Sequence, residues 1–157
     1  MKNFKWLILG LFLFSGLAIA ETTEVRKVVF DLTSGDSERI ESRIVGNIKY
    51  LTKHYNKLGI EFKAVVVISG DSYKYFIKDL DNSPFKGDAK LAKAQKVLAP
   101  LFQELADKYN VRFDMCGGGM RARDIKAESL YEYVHTDKMK YIYLIDWQNL
   151  GYAYLAI

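Results

Sequence analysis

The sequence predicts a doubly wound α/β domain, and three observations predict it. Strand-like and helix-like stretches alternate along the chain, giving strand–helix three times over. Residues 65–68, VVVI, are apolar at every position, as in a parallel strand covered on both faces. Between such runs, apolar residues recur at spacings of three and four, the period of a helix with one buried side.

Taken in order, the chain opens with a segment that is not part of that domain. Lys2 and Lys5 precede an apolar run over residues 6–17, and Ala18-Ile19-Ala20 forms a small-residue cleavage signature before Glu21. Residues 1–20 are therefore expected to be a secretory signal peptide, with an uncleaved N-terminal anchor as the other reading. The run is short for a membrane span. Residues 21–157 then make one domain with a core of its own, expected to be soluble and periplasmic or otherwise exported. The segment carries two of the 23 Lys+Arg and none of the 19 Asp+Glu, so the remainder has a net charge of about +2. That balance does not call for nucleic acid as a partner.

Residues 27–33, KVVFDLT, predict the first strand. Ser34-Gly35-Asp36-Ser37 turns the chain and supplies a helix cap, with Glu38 in the first turn. Ile40, Ile44, Ile48, Leu51, Tyr55 and Leu58 predict a helix over 37–58, with Gly59 as its stop. Residues 60–68 are a second strand, residues 72–80 a short helix, and residues 81–87 a loop with Pro84 and Gly87. Asp88 caps a long helix to Tyr109, which Pro100 should bend or interrupt. A third strand follows at 111–115, then a helix at 120–126 and a strand at 131–136. Asp137 is placed as the cap of a helix running to Leu150, ended by Gly151 and followed by a last strand at 151–157. By propensity, residues 140–145, KYIYLI, suit a strand in a hairpin with that last strand; the helix is preferred because it continues the alternation.

Residues 111–123, VRFDMCGGGMRAR, concentrate the chemistry. A strand delivers Cys116 to its carboxyl end, where ligands collect in open α/β sheets. Gly117, Gly118 and Gly119 permit close approach, and Arg121 and Arg123 supply positive charge. Helix-start N–H groups and guanidinium groups both favour a thiolate, so an accessible, ionised thiol is expected. The bland reading is a buried, inert cysteine beside a glycine turn, and spacing alone favours it. Export sharpens the question, because one cysteine has no internal disulfide partner. The loops Ser34–Ser37 and Ser69–Ser72 both read Ser-Gly-Asp-Ser. Ser34, Gly35, Ser69 and Gly70 are candidate walls of the Cys116 crevice, though ordinary capping explains much of both loops. Asp31 and Asp114 are unexpected in covered strands. A carboxylate at Asp114 would raise the thiol pKa unless paired, with Arg112, Arg121 and Arg123 as candidate partners.

The motifs KVVFDLTSGD at 27–36, VRFDMCGGGMRAR at 111–123 and WQNLGYAYL at 147–155 give the chain a resemblance to the DsrE/DsrF-like family. That resemblance implies a single three-layer α/β/α domain with a mainly parallel five-stranded sheet, associated into trimers or hexamers. It also implies that Cys116 carries sulfane sulfur as a persulfide, exchanged with a donor or acceptor protein or a small sulfane compound. The thiol reading then overtakes the bland one. The alternative function is a non-catalytic oligomeric binding module, suggested by the 14% aromatic content and the Tyr-rich end. Neither reading calls for a cofactor or metal. Gly117–Ala122 fits G-x-G-x-x-A but follows the third strand and lacks the acidic partner. His54 and His135 lack metal-ligand spacing, Met115 should point away from Cys116 in any copper(I) site, and no Ser-His-Asp arrangement can be defended.

Overall fold

A computed structural model describes residues 24–157; the leader reading for residues 1–20 lies outside the described residues. Strands β1 (Val25–Leu32), β2 (Glu61–Ile68), β3 (Arg112–Met115), β4 (Val134–His135) and β5 (Ala153–Ala156) form one sheet in the order β4-β3-β2-β1-β5. Every pairing is parallel. β1 and β2 pair residue for residue from Val25 with Glu61 to Leu32 with Ile68. Val65 to Ile68 are buried, as their unbroken apolar run predicts.

One face of the sheet is covered by α1 (Ser37–Ile40), a π-helical segment (Glu41–Gly46), α2 (Asn47–Asn56) and α3 (Ala89–Tyr109). The expected helix over 37–58 is thus three segments. Ile40, Ile44 and Ile48 are spaced by four, and an ideal α-helix would rotate each by about 40° from the last. A wider turn between Ile40 and Ile48 keeps all three fully buried. Leu58 falls beyond the helix and is exposed. Asp36 caps α1 by accepting from the Glu38 and Arg39 N–H groups.

Pro100 does not interrupt α3. It lies on the exposed side, so the unpaired Lys96 carbonyl faces water rather than core. Asp88 caps this helix through the Leu91 N–H, and Asn110, in the left-handed region at φ 51°, closes it. Instead of a helix at 72–80 there is one 3-10 turn, Tyr73–Phe76. The strand expected at 131–136 shrinks to two residues, because the Tyr131 N–H turns back to the Phe76 carbonyl.

Among the described residues the opposite face carries α5 alone (Lys140–Asn149), packed through Tyr143 and Leu144 on Val29, Val65 and Val67. KYIYLI is therefore helical, not a hairpin strand. Asp137 is not its cap. Met139 takes the cap position, and the Asp137 carboxylate accepts instead from the Tyr143 hydroxyl. Gly151, at φ 84°, ends this helix. Within the described residues no helix is long and apolar enough to cross a membrane.

Candidate functional site at Cys116

Connections leaving β1, β2 and β3 pack on the face under α1–α3, whereas the connection leaving β4 crosses to α5. The crevice of such a sheet lies where neighbouring strands send their connections to opposite sides, here between β3 and β4. Cys116 follows β3 directly. The Gly117 N–H donates to the Lys138 carbonyl at 2.9 Å, tying the end of β3 to the segment that follows β4.

The three glycines are helical, not a loop. They form the first turn of α4 (Gly117–Arg121), with Cys116 at its N-cap. This corrects the expected start at residue 120, and the reason is steric. A Cβ on Gly119 would fall 1.9 Å from the Tyr73 hydroxyl oxygen, and one on Gly118 would fall 2.4 Å from the Met139 sulfur. The glycines let Tyr73 from one side and Met139 from the other close in beside the cysteine. The chain behind them turns at Asp124, φ 52°.

Cys116 is 7% exposed, so the thiol is less accessible than the sequence led us to expect. Its surroundings are mixed rather than sealed in hydrocarbon. Below it lies the apolar cluster with Met115 and Met120; above it are N–H and O–H donors. Burial pushes the thiol pKa up, but the Gly119 and Lys140 N–H groups, the Tyr73 hydroxyl and the Gly118 N–H outweigh it and hold the thiol below the ordinary cysteine range. The side chain closes no capping hydrogen bond onto α4; these donors act on the charge that ionisation creates. The Tyr73 hydroxyl donates to the Cys116 carbonyl at 3.1 Å. Burial, then the adjoining sulfur, pushes the Tyr73 phenol far above its usual range.

Guanidinium groups play a different part from the one expected. Arg123 lies over the Tyr73 ring, 4.8 Å from its centroid, and donates to the Gly119 carbonyl. Arg121 folds back toward Gly117. Neither pairs with Asp114, which is fully buried and held by Arg112 Nε at 2.8 Å and Trp147 Nε1 at 2.8 Å. Burial raises the Asp114 pKa, and Trp147 and Arg112 oppose the rise.

The two Ser-Gly-Asp-Ser loops zip against each other. Asp71 N–H donates to the Thr33 carbonyl, and Gly70, at φ 62°, leaves no room for a Cβ against Thr33. Ser34 accepts from the Asp36 N–H and Gly35 accepts from the Tyr75 hydroxyl, so these two serve the turn. Ser69 differs. The Cys116 N–H donates to the Ile68 carbonyl at 3.0 Å, which places Ser69 beside Cys116 on the adjoining strand. Sequence reasoning missed Tyr73, Met139 and Lys140, each brought to Cys116 from a distant part of the chain. Only the three successive glycines hinted that something bulky must approach.

A cleft of about 490 Å³ lies elsewhere, lined by Arg112, Asp114, Lys138, Trp147 and Leu150 among others. Its charges are already matched, Arg112 with Asp114 and Lys138 with Asp146. The nucleophile with its flanking donors is the better candidate site.

Among solved structures, a protein of unknown function, MTH1491, from Methanobacterium thermoautotrophicum is similar, with a TM-score of 0.57 and 17% identity over 84% of this chain and 99% of that one. The ychN protein from E. coli gives a TM-score of 0.47 and 15% identity over 86% of this chain and 99% of that one. MTH1491 supports the fold alone. No curated protein matches. Residues 27–157 match the DsrE/DsrF-like family, and with a five-stranded parallel sheet of the same architecture the chain belongs to that family.

Proposed function

We propose that this protein is a sulfur carrier that holds sulfane sulfur as a persulfide on Cys116. The observation that carries the reading is the ring of donors at the end of β3, which favours a thiolate despite burial. Membership of the DsrE/DsrF-like family suggests a sulfur-relay function and agrees with it. In loading, the thiolate attacks the outer sulfur of a sulfane donor such as thiosulfate. One S–S bond forms as the donor's S–S bond breaks, and the electron pair leaves with sulfite. In unloading, an acceptor thiolate attacks the terminal sulfur and Cys116 departs as thiolate, a good leaving group when its pKa is low. The near-burial of Cys116 favours a small anionic donor over a bulky one, with Arg121 and Arg123 close by. The leader-like residues 1–20 support an exported, periplasmic setting.

Peptide mass analysis after exposure to thiosulfate or polysulfide tests this. The Cys116 peptide is expected to gain the mass of one sulfur. If it stays unmodified while the same thiol still alkylates, the carrier reading is lost.

A second reading, a non-catalytic oligomeric module, is favoured by α5. A surface helix normally turns its apolar residues to the core, yet on α5 Tyr141, Ile142 and Ile145 are 71%, 47% and 57% exposed. Leu155 on edge strand β5 is 45% exposed nearby in sequence. A trimer or hexamer burying this side is expected to lose subunits on Ile145→Asp, measured by light scattering. A parent protein that is monomeric at high concentration removes the assembly. A partner that binds Cys116→Ser as tightly as the parent would favour this module over the carrier.

A further inference from the structure

Three hydroxyls besides Ser69 lie at the ends of β1 and β2, and each is occupied. Thr33 Oγ1 donates to the Ile157 carbonyl at 3.1 Å, Ser72 Oγ donates to the Leu32 and Ser69 carbonyls at 3.1 and 2.7 Å, and Ser34 Oγ accepts from the Asp36 N–H. The Tyr73 hydroxyl donates to the Cys116 carbonyl and is shared with the thiolate when the sulfur ionises. Ser69 is the exception: it is 6% exposed and among the described residues its Oγ has no hydrogen-bond partner. An unpartnered buried hydroxyl destabilises a fold, so one that persists calls for a reason.

Its position supplies the reason. Register carries on from the Ile68–Met115 pair, through the Cys116 N–H on the Ile68 carbonyl, to set Ser69 beside Cys116. Ser69 follows Val67 by two residues, and Val67 packs on the α5 face. The Lys140 N–H acts on the sulfur from that same face. Adjacent strands lie about 4.8 Å apart, and an S–S bond is about 2.05 Å. A second sulfur on Cys116 that turns toward β2 therefore comes within O–H···S reach of Ser69.

We propose that the Ser69 hydroxyl binds the outer sulfur of the Cys116 persulfide, donating its hydrogen to the terminal anion. The inference rests on the carrier reading. Tyr73 then serves the resting thiolate and Ser69 the loaded state, both from the segment that follows β2.

Ser69→Ala tests this, since it removes one atom and introduces no clash. Wild type and variant are loaded with thiosulfate or polysulfide, freed of excess donor, and followed by mass analysis as sulfur is lost to a small thiol. The variant is expected to lose its sulfur about tenfold faster, the scale of one charge-assisted hydrogen bond. Its rate of alkylation against pH, which reads the unloaded thiol, is expected to match wild type. Unloaded, it should melt about 3 °C higher, because a buried unpaired group is gone. Ser69→Thr, which keeps the hydroxyl, should restore retention if it folds. Equal rates of sulfur loss in wild type and Ser69→Ala overturn the inference while leaving the carrier reading intact. A variant that melts lower with a shifted alkylation profile also overturns it, by showing a structural role. A wild-type protein that takes up no sulfur removes the carrier reading itself.

Discussion

The face of the sheet under α1–α3 is held by hydrocarbon, whereas the face under α5 is held by a few apolar contacts and two pinned carboxylates. On the first, Phe76 stacks on Phe102 at 4.6 Å between ring centroids, and Phe113 tilts against both. On the second, only Val29, Val65, Val67, Tyr143 and Leu144 form the buried apolar cluster. Asp31 and Asp114 flank Val67 at one register level. Asp114 takes Arg112 and Trp147; Asp31 takes Lys140 Nζ and the Tyr154 hydroxyl, both at 2.9 Å. Hydrocarbon packing is non-directional and tolerates any orientation that fills space, whereas a buried ion pair has one good geometry. The thin face therefore sets where α5 sits. The same Lys140 that anchors on Asp31 offers its backbone N–H to Cys116, so the polar pins aim the donors at the sulfur.

Four substitutions test that contrast. Phe102→Ala is expected to reduce stability the most, by about 4 kcal/mol in denaturant unfolding, against roughly 2 kcal/mol for Leu144→Ala on the other side. Equal losses would break the comparison. Gly119→Ala should cost about 3 kcal/mol by overpacking against Tyr73, and it should also raise the pH at which Cys116 alkylates, because Tyr73 is driven off the sulfur. Gly118→Ala should be milder, since the tip of Met139 is flexible.

Asp114→Ala leaves the Trp147 N–H and Arg112 without their partner and is expected to lose about 2 kcal/mol, with a changed near-ultraviolet circular dichroism signal from Trp147. Asp114→Asn keeps an acceptor for Trp147 and sharpens the reading through pH. The folded-state pKa of Asp114 is raised, mainly by burial. Its contribution is therefore complete below the unfolded value near 4 and is lost as pH rises through the folded value. The variant should become progressively more favourable relative to wild type over that window, measured by denaturant midpoint.

The smallest effect concerns Cys116 itself. Its folded-state pKa is lowered, by donors that outweigh burial. The stability it adds is therefore present above the unfolded thiol pKa and lost as pH falls through the folded one. Wild type should gain slightly on Cys116→Ser as pH rises across that range. A flat difference would mean the donors do not act on the sulfur.

Much of this was legible in the linear chain. Periodicity marked the strands and the two long helices. The unbroken run at 65–68 marked a parallel strand, and Asp88, Gly59 and Gly151 marked helix ends, because each such signal depends on neighbours within a turn or two. Signals that depend on partners were not legible. Pro100 looked disruptive until its exposed position was known, and Asp137 looked like a cap until Tyr143 took its carboxylate. The glycines at 117–119 looked like a loop because nothing local says that Tyr73 and Met139 press on them. Nearby sequence offered three arginines for Asp114 without choosing among them; Arg112 is the partner, and Trp147 from α5, which no local signal announces, completes its geometry.

By itself, the sequence determined the α/β alternation, the family and the placement of Cys116 at a strand's carboxyl end, all of which follow from local pattern and motif. Only the tertiary structure decided what surrounds that sulfur. Ser69 and Tyr73 come from the segment after β2 and Lys140 from the start of α5, and short-range donors act over a few ångströms of space irrespective of separation along the chain.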